Sequence, residues 1–416
     1  MKYIRRALEE KILHEARTYK AVLITGARQV GKSTLLKRLL PDLKYITLDD
    51  PFVEEQAARN SSMFMTMNPP PVVIDEVQRA TTLFRYIKMK CDASDDKGLF
   101  FLSGSQQFHL MREVSETMAG RASIIELAGL SLREINGDSF AQPFLPTAAY
   151  IAERQKSAVP PPNIWDVIHR GSYPALQQPE VEWNSFYANY VKTYIERDVR
   201  ELTAVHDPES FRRFMIAAAA RTGAILNYSN IASEIGKDVN TVKKWISILE
   251  ASGIIYLLEP YSANVLKRAI RTPKLYFRDT GLVCYLSRWL TPEVLAYGAM
   301  AGAIFETFAI SEILKSFSNA GLDYRYFVSY YRGKDKRKVR KDGQEIAVES
   351  EIDFIIEENG VLYPVEIKMN AEAKSWMTGA FPVLDNVPGK KRGSGAVICN
   401  CPQPGALRED IFQFPV

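Results

Sequence analysis

Cysteine is scarce: four residues, Cys91, Cys284, Cys399 and Cys401, in a chain of 416. They are too few and too scattered for a disulfide framework. Cys399-Asn400-Cys401 has a spacing able to hold a metal, but no His lies nearby and apolar residues precede it. Long apolar runs are missing as well, none approaching the ~18 residues that span a bilayer. The opening Met1-Lys2-Tyr3-Ile4-Arg5-Arg6 leads into a charged amphipathic stretch and lacks a signal-peptide core. A reducing cytoplasm is the expected setting, with no membrane partner. Charge of one sign is nearly balanced away, at +4 overall, so electrostatics alone does not announce nucleic acid.

What remains is an ordinary globular composition, 46% hydrophobic and 25% charged, with length for roughly two to four domains. The basic residues are uneven. Tyr331-Arg332-Gly333-Lys334-Asp335-Lys336-Arg337-Lys338-Val339-Arg340-Lys341 is a concentrated cluster, either a solvated hairpin loop or a phosphate-contacting one.

The segment with the most direct chemistry is Gly26-Ala27-Arg28-Gln29-Val30-Gly31-Lys32-Ser33-Thr34, a complete G-x-x-x-x-G-K-S/T phosphate loop. Gly26 and Gly31 permit backbone conformations that let successive amides converge on a phosphate. Lys32 then reaches the β- and γ-phosphates of ATP, and the Ser33 hydroxyl ligates Mg²⁺. The context fits, because Ala21-Val22-Leu23-Ile24-Thr25 reads as a buried strand and a helix begins at Ser33.

Four more apolar runs follow, at 43–48, 72–74, 99–102 and 124–127, with helical stretches between them. That alternation predicts a parallel α/β sheet. The run Val72-Val73-Ile74 delivers Asp75 and Glu76 at its carboxyl end, a Walker B arrangement. Asp75 is expected in the Mg²⁺ shell and Glu76 as the group that polarises the attacking water. Phe101-Leu102-Ser103-Gly104-Ser105 ends a strand expected between the two Walker strands; Ser105 is the candidate γ-phosphate sensor, with Ser103 the other choice. Arg121 stands just before the last strand, as a surface ion pair or as a finger completing a neighbouring subunit's site.

The segment from Lys20 to Leu132 resembles an AAA+ ATPase of a prokaryotic type that carries a C-terminal "domain of unknown function 4143". The matching residues are the phosphate loop, Tyr45-Ile46-Thr47-Leu48-Asp49-Asp50, Ile74-Asp75-Glu76-Val77-Gln78, Ser103-Gly104-Ser105-Gln106 and Ala119-Gly120-Arg121. Arg170-Gly171-Ser172-Tyr173-Pro174 resembles that family's Gly-Gly-aromatic-Pro turn, departing at Ser172, and Tyr194-Ile195-Glu196-Arg197-Asp198-Val199 its next signature. The resemblance implies fold and nucleotide chemistry, while the family's biological task is largely unassigned.

Pro-rich breaks at 137–146 and 157–162 suggest a joint after the ATPase core. Arg197 is read as structural, beside Glu196 and Asp198. Tyr228 to Gly236 reads as a short helix stopped by glycine. A second helix follows, with Asn240 as N-cap and Val242, Trp245, Ile246 and Leu249 on one apolar face. A strand after Gly253 completes a winged-helix pattern, in which Thr241, Lys243 and Lys244 face a DNA groove. Such units in ATPases also serve as lids or subunit contacts.

Near the C-terminal end, Asn359-Gly360 separates two strands and predicts a two-residue type I′ hairpin. Glu358 then pairs with Val361, and counting outward sets Asp353 opposite Glu366, with Lys368 on the same face. Opposed acids destabilise a hairpin unless a cation lies between them; a divalent metal is such a cation, and lysine beside it can activate a water. Asp353 and Glu366-Ile367-Lys368 resemble the PD-(D/E)xK nuclease motif, with Glu306 on the preceding helix as that fold's frequent helical acid. Helix, three strands, helix and a last strand at 395–399 complete the expected order. The alternative is a ladder in which Lys368 and the acids neutralise one another.

These readings combine into an α/β protein of four parts. Residues 1–135 form a P-loop AAA+ ATPase core, 136–205 a helical lid, 206–270 a winged helix and 271–416 a restriction-endonuclease-like domain. ATP and Mg²⁺ are the expected cofactors, with a second divalent metal, Mg²⁺ or Mn²⁺, at Glu306, Asp353 and Glu366. The expected partners are DNA and further copies of this chain. The competing reading is an ATP-dependent switch or scaffold whose nuclease-like domain is an inactive binding module.

Overall fold

Five parallel strands form the first layer of the computed structural model, which describes residues 3–104, 117–157, 163–194, 207–262, 272–337 and 346–415. They are β1 (Ala21–Thr25), β2 (Lys44–Thr47), β3 (Val72–Asp75), β4 (Phe100–Gly104) and β5 (Ala122–Glu126), in the order β2-β3-β4-β1-β5. β1 is buried along its whole length, as a central parallel strand covered on both faces should be. Its alternate residues serve different cores. Val22 and Ile24 join Leu35 and Leu36 of the following helix, while Ala21 and Leu23 join Leu83, Phe84 and Ile87 of the helix Leu83–Asp92. β4 does lie between the two Walker strands.

The middle of the chain is helical, including Ala148–Arg154, Ile164–Arg170 and Trp183–Tyr194. Three further helices, Pro208–Ala219, Tyr228–Ile235 and Val239–Ala251, precede an antiparallel pair, β6 (Ile255–Leu258) and β7 (Lys274–Phe277). Gly236 ends the second of these helices in the left-handed conformation, as expected of a glycine stop. The N-cap of the third is Asp238 rather than Asn240. Its carboxylate accepts from the Thr241 amide at 2.9 Å, which starts the helix at Val239 and leaves Asn240 inside the first turn. Val242, Trp245, Ile246 and Leu249 form the buried face. A boundary at 270 would cut this hairpin in two, because β6 and β7 pair from Ile255–Phe277 to Leu258–Lys274. The second hairpin strand therefore groups with the helices before it.

The C-terminal part opens with the long helix Ala301–Asn319 and continues into a second sheet. Its strands are β8 (Val328–Arg337), β9 (Ile346–Glu358), β10 (Val361–Ile367), β11 (Lys391–Arg392), β12 (Gly395–Cys399), β13 (Gly405–Arg408) and β14 (Ile411–Pro415). β8, β9 and β10 run antiparallel in sequence, and β12 adds to β10 in parallel. Asn359 and Gly360 both have positive φ, 50° and 80°, which is what a type I′ turn requires. Two expectations fail. Between β10 and β12 the chain makes two 3₁₀ segments, Ser375–Thr378 and Phe381–Asn386, instead of an α-helix, since Gly379 and Pro382 interrupt the helical ladder. The strand at 395–399 is not the last, because β14 pairs with it and β13 with β14.

One continuous apolar cluster runs from Leu8 through Phe214 and Phe305 to Phe414, so the successive parts share a core. Among the described residues, no helix is long and apolar enough to cross a membrane.

Candidate functional site

Parallel strands bring their carboxyl ends to one edge, and there the phosphate loop, Asp75, Ser103 and Glu126 gather. Gly26 has φ 142°, and a Cβ on it would collide with the Leu127 carbonyl. Gln29 and Gly31 also have positive φ, 61° and 98°. The loop's backbone therefore turns through conformations that favour glycine, and at Gly26 there is no room for a side chain. The helix Lys32–Leu39 starts from Gly31 with no side-chain cap, leaving its amino end open to an anion. Lys32 is buried, its Nζ donating to the carbonyls of Gly26 at 2.9 Å and Ala27 at 2.8 Å. A buried ammonium folded over the loop, beside a helix amino end without a side-chain cap, fits a nucleotide phosphate.

Asp75 is buried and accepts hydrogen bonds from the Tyr45 hydroxyl and the Ser103 hydroxyl. Tyr45 thus reaches Asp75, one of the two residues expected to hold Mg²⁺. Burial, then the Asp75 carboxylate, push the Tyr45 phenol well above its ordinary range. Sequence reasoning gave Tyr45 no role; its signal was only a tyrosine on the strand beside Walker B. Glu76 adopts φ 57°, an uncommon conformation for a non-glycine residue, and its carboxylate accepts from Gln78. Of the two sensor candidates, Ser103 reaches Asp75, and Ser105 lies outside the described residues, as does Arg197.

Arg121 stands at the opposite edge. Its carbonyl accepts from the Lys20 and Ala21 amides, both at 3.1 Å, where β1 begins. The five residues of β1 separate it from the loop by roughly 15 Å. Its guanidinium pairs with Asp92 and donates to the Ala119 carbonyl at 3.0 Å. Within one chain Arg121 is thus a half-exposed ion pair, away from the site.

Three elements hold the loop from behind. Arg6, 3% exposed, donates to Glu134 at 2.9 Å, to the Val30 carbonyl at 2.8 Å and to the Ala128 carbonyl at 2.7 Å. Pro174 packs near Gly31 and Gly253 near Ala27. The Gly171–Pro174 turn is fixed in turn by Asp279, which accepts from the Ser172 amide at 2.6 Å, the Ser172 hydroxyl at 2.8 Å and Tyr187 at 2.6 Å. The serine that departs from the family pattern is therefore used by the structure.

In the C-terminal sheet the ladder runs from Val361–Glu358 to Val365–Phe354, and Asp353 and Glu366 stand just beyond its last pair. Asp353 Oδ2 accepts from the Ile367 amide at 2.9 Å and from Lys368 Nζ at 3.0 Å, and Lys368 Nζ lies 2.7 Å from Glu366. Glu306 belongs to the same group. So does a residue not anticipated, Lys274 of β7, whose Nζ lies 2.5 Å from Glu351, 3.7 Å from Glu306 and 3.9 Å from Asp353. Burial, then the Asp353 charge, raises Glu366 to about 8 and Glu306 to about 7. Glu366 Oε2 is buried without a hydrogen-bond partner.

The expected metal set is thus brought together, but with lysines as its counter-charges. Among the described residues, no three acidic, His or Cys side chains converge as a metal requires. As arranged, the residues do not fit a divalent ion. The tip of the basic loop, 338–345, lies outside the described residues; before it, Arg332 pairs with Glu349 at 2.6 Å.

Residues 18–136 match the family model described as an AAA domain. Residues 162–293 match a domain of unknown function (DUF8612), and residues 301–415 another (DUF4143). The chain thus pairs a segment similar to an AAA domain with one similar to DUF4143. Uncharacterized proteins of Mycobacterium bovis and Mycobacterium tuberculosis are each 26% identical over 305 residues, covering 73% of this chain. The match spans 63% of the length of those relatives. Among solved structures, the Walker-type ATPase of Pyrococcus abyssi is 15% identical, with 68% of this chain and 96% of that one covered and a TM-score of 0.41.

Proposed function

We propose that this chain hydrolyses ATP at the phosphate loop and couples the cycle to work on DNA. One observation carries the first half: buried Lys32 and Asp75 stand with Glu76 at a single sheet edge, and Tyr45 and Ser103 both donate to Asp75. Mg²⁺ bound with ATP neutralises phosphate charge, and Ser33 and Asp75 are the residues that would hold it. Lys32 exchanges its loop carbonyls for β- and γ-phosphate oxygens. Glu76 orients the attacking water and accepts its proton, and Ser103 or Ser105 senses the γ-phosphate. Arg121 acts between subunits, reaching a neighbour's γ-phosphate in a homo-oligomer.

The three helices and hairpin of 208–277 are read as a winged helix. Thr241 is committed to Asp238 at 2.6 Å, so the exposed Lys243 and Lys244 are its groove contacts. The C-terminal sheet, with its helix, meander and parallel fourth strand, is read as a nuclease-like fold that binds DNA in the cytoplasm. The lysines seated on its carboxylates favour a second reading, a switch whose C-terminal part binds without cutting. The test is ATP turnover and DNA cleavage by the full chain with Mg²⁺ or Mn²⁺. Lys32→Ala should abolish turnover, and Asp353→Ala with Glu366→Ala should abolish cleavage. A wild-type chain that turns over ATP but never cuts leaves the switch; one with no turnover removes the ATPase reading.

A further inference from the structure

Lys274 occupies an unusual place. It is 3% exposed, a burial no lone ammonium tolerates. Acids surround it: Glu351, Glu306 and Asp353 lie within 2.5 to 3.9 Å of Nζ, and the Tyr330 ring centroid lies 5.4 Å away. Its backbone is pinned on both sides, pairing with Leu258 in β6 and bridging to Ile225. Two residues along β7, Tyr276 donates to Glu306 at 2.5 Å. The hairpin thus delivers an ammonium and a phenol together to a cluster that belongs to the other sheet.

Two of the three acids suited to a divalent ion, Glu306 and Asp353, face this ammonium. The third, Glu366, has one oxygen on Lys368 and the other buried with no partner. The cluster therefore keeps an unsatisfied oxygen while two ammoniums, not a metal, supply its cations: Lys368 on Asp353 and Glu366, and Lys274 beside Glu306, Glu351 and Asp353.

We infer that Lys274 is a built-in counter-cation that closes this carboxylate cluster to divalent metal. The inference rests on reading Glu306, Asp353 and Glu366 as metal ligands once Lys274 is gone. An ammonium this close to a divalent ion repels it strongly enough to weaken binding at least about tenfold.

The test is Mn²⁺ binding to the full chain without nucleotide, followed by the electron paramagnetic resonance signal of the free ion. An Asp75→Asn background removes the ATPase metal ligand. Lys274→Met with Glu351→Gln removes one charge of each sign, so the cluster keeps its net charge and its three candidate ligands; Lys274→Gln alone is an independent second variant. Both should bind one Mn²⁺ per chain at least tenfold more tightly than the background, and adding Asp353→Asn should abolish the gain. Equal binding with and without Lys274, lost with Asp353→Asn, overturns the closure but leaves the metal site standing. No Mn²⁺ bound by any of them overturns the metal reading, and the closure with it.

Discussion

Replacing Arg6 with alanine should loosen the phosphate loop although Arg6 lies outside the motif. Its guanidinium spans Glu134, Val30 and Ala128, and both ion-pair side chains are 3% exposed. Removal strands a buried carboxylate and two carbonyls, a loss of about 3–5 kcal/mol. Amide exchange in β1 is the assay, because the strand feeds the loop and is buried throughout; protection should fall by roughly two to four orders of magnitude. Acid dependence provides a second reading of the same pair. Burial opposes ionisation of Glu134, but Arg6 and the Ser131 and Ala7 amides outweigh it and hold the carboxyl below its usual range. That contribution is complete above the ordinary glutamate range and disappears as pH falls through the depressed value. Arg6→Ala should weaken this acid-side loss, the Ser131 and Ala7 amides alone remaining to favour the charged form. Arg6→Met with Glu134→Leu should recover much of the stability, since neither charge is left alone. A single Arg6→Ala costing under about 1 kcal/mol would refute the reasoning.

Gly26→Ala should weaken ATP binding and cost ~1–3 kcal/mol, because φ 142° strains any side chain and the new Cβ meets Leu127; isothermal titration with an ATP analogue checks it. Glu366 and Glu306 carry raised values of about 8 and about 7, so the folded state binds protons the unfolded chain has released. Their stabilisation is complete below the ordinary glutamate range and declines as pH rises toward 8. Glu366→Gln should flatten that decline in a series of thermal melts. Mixing Arg121→Ala with Glu76→Gln subunits should restore part of the turnover each lacks, if Arg121 acts between subunits; no recovery would assign it to its pair with Asp92.

Some of this was legible in the residues because local rules and the fold agreed. The phosphate loop needed only two glycines and a following helix. Asn359-Gly360 fixed a turn, and the two-residue period of strands then carried the register to Asp353 and Glu366. Long-range contributions carried no such mark. Lys274 sits in Lys-Leu-Tyr-Phe, a strand far upstream of the acids it meets, and a single lysine there reads as solvated. Arg6 stands before a charged amphipathic stretch, where nothing local marks it as buried. Asp238 and Asn240 are equally good caps by chemistry, and only the turn after Gly236 selected the aspartate. Between β10 and β12 the expected helix ignored Gly379 and Pro382, which end helical bonding wherever tertiary contacts do not override them.

Glu76→Gln tests the central claim most directly, since it leaves the phosphate loop, Lys32 and Asp75 in place and removes only the group expected to accept a proton. Single-turnover hydrolysis of γ-labelled ATP, with binding measured on the same sample, separates the two steps. The account requires that Glu76→Gln retain ATP while hydrolysis falls at least about a hundredfold. Hydrolysis at the wild-type rate in Glu76→Gln would contradict it.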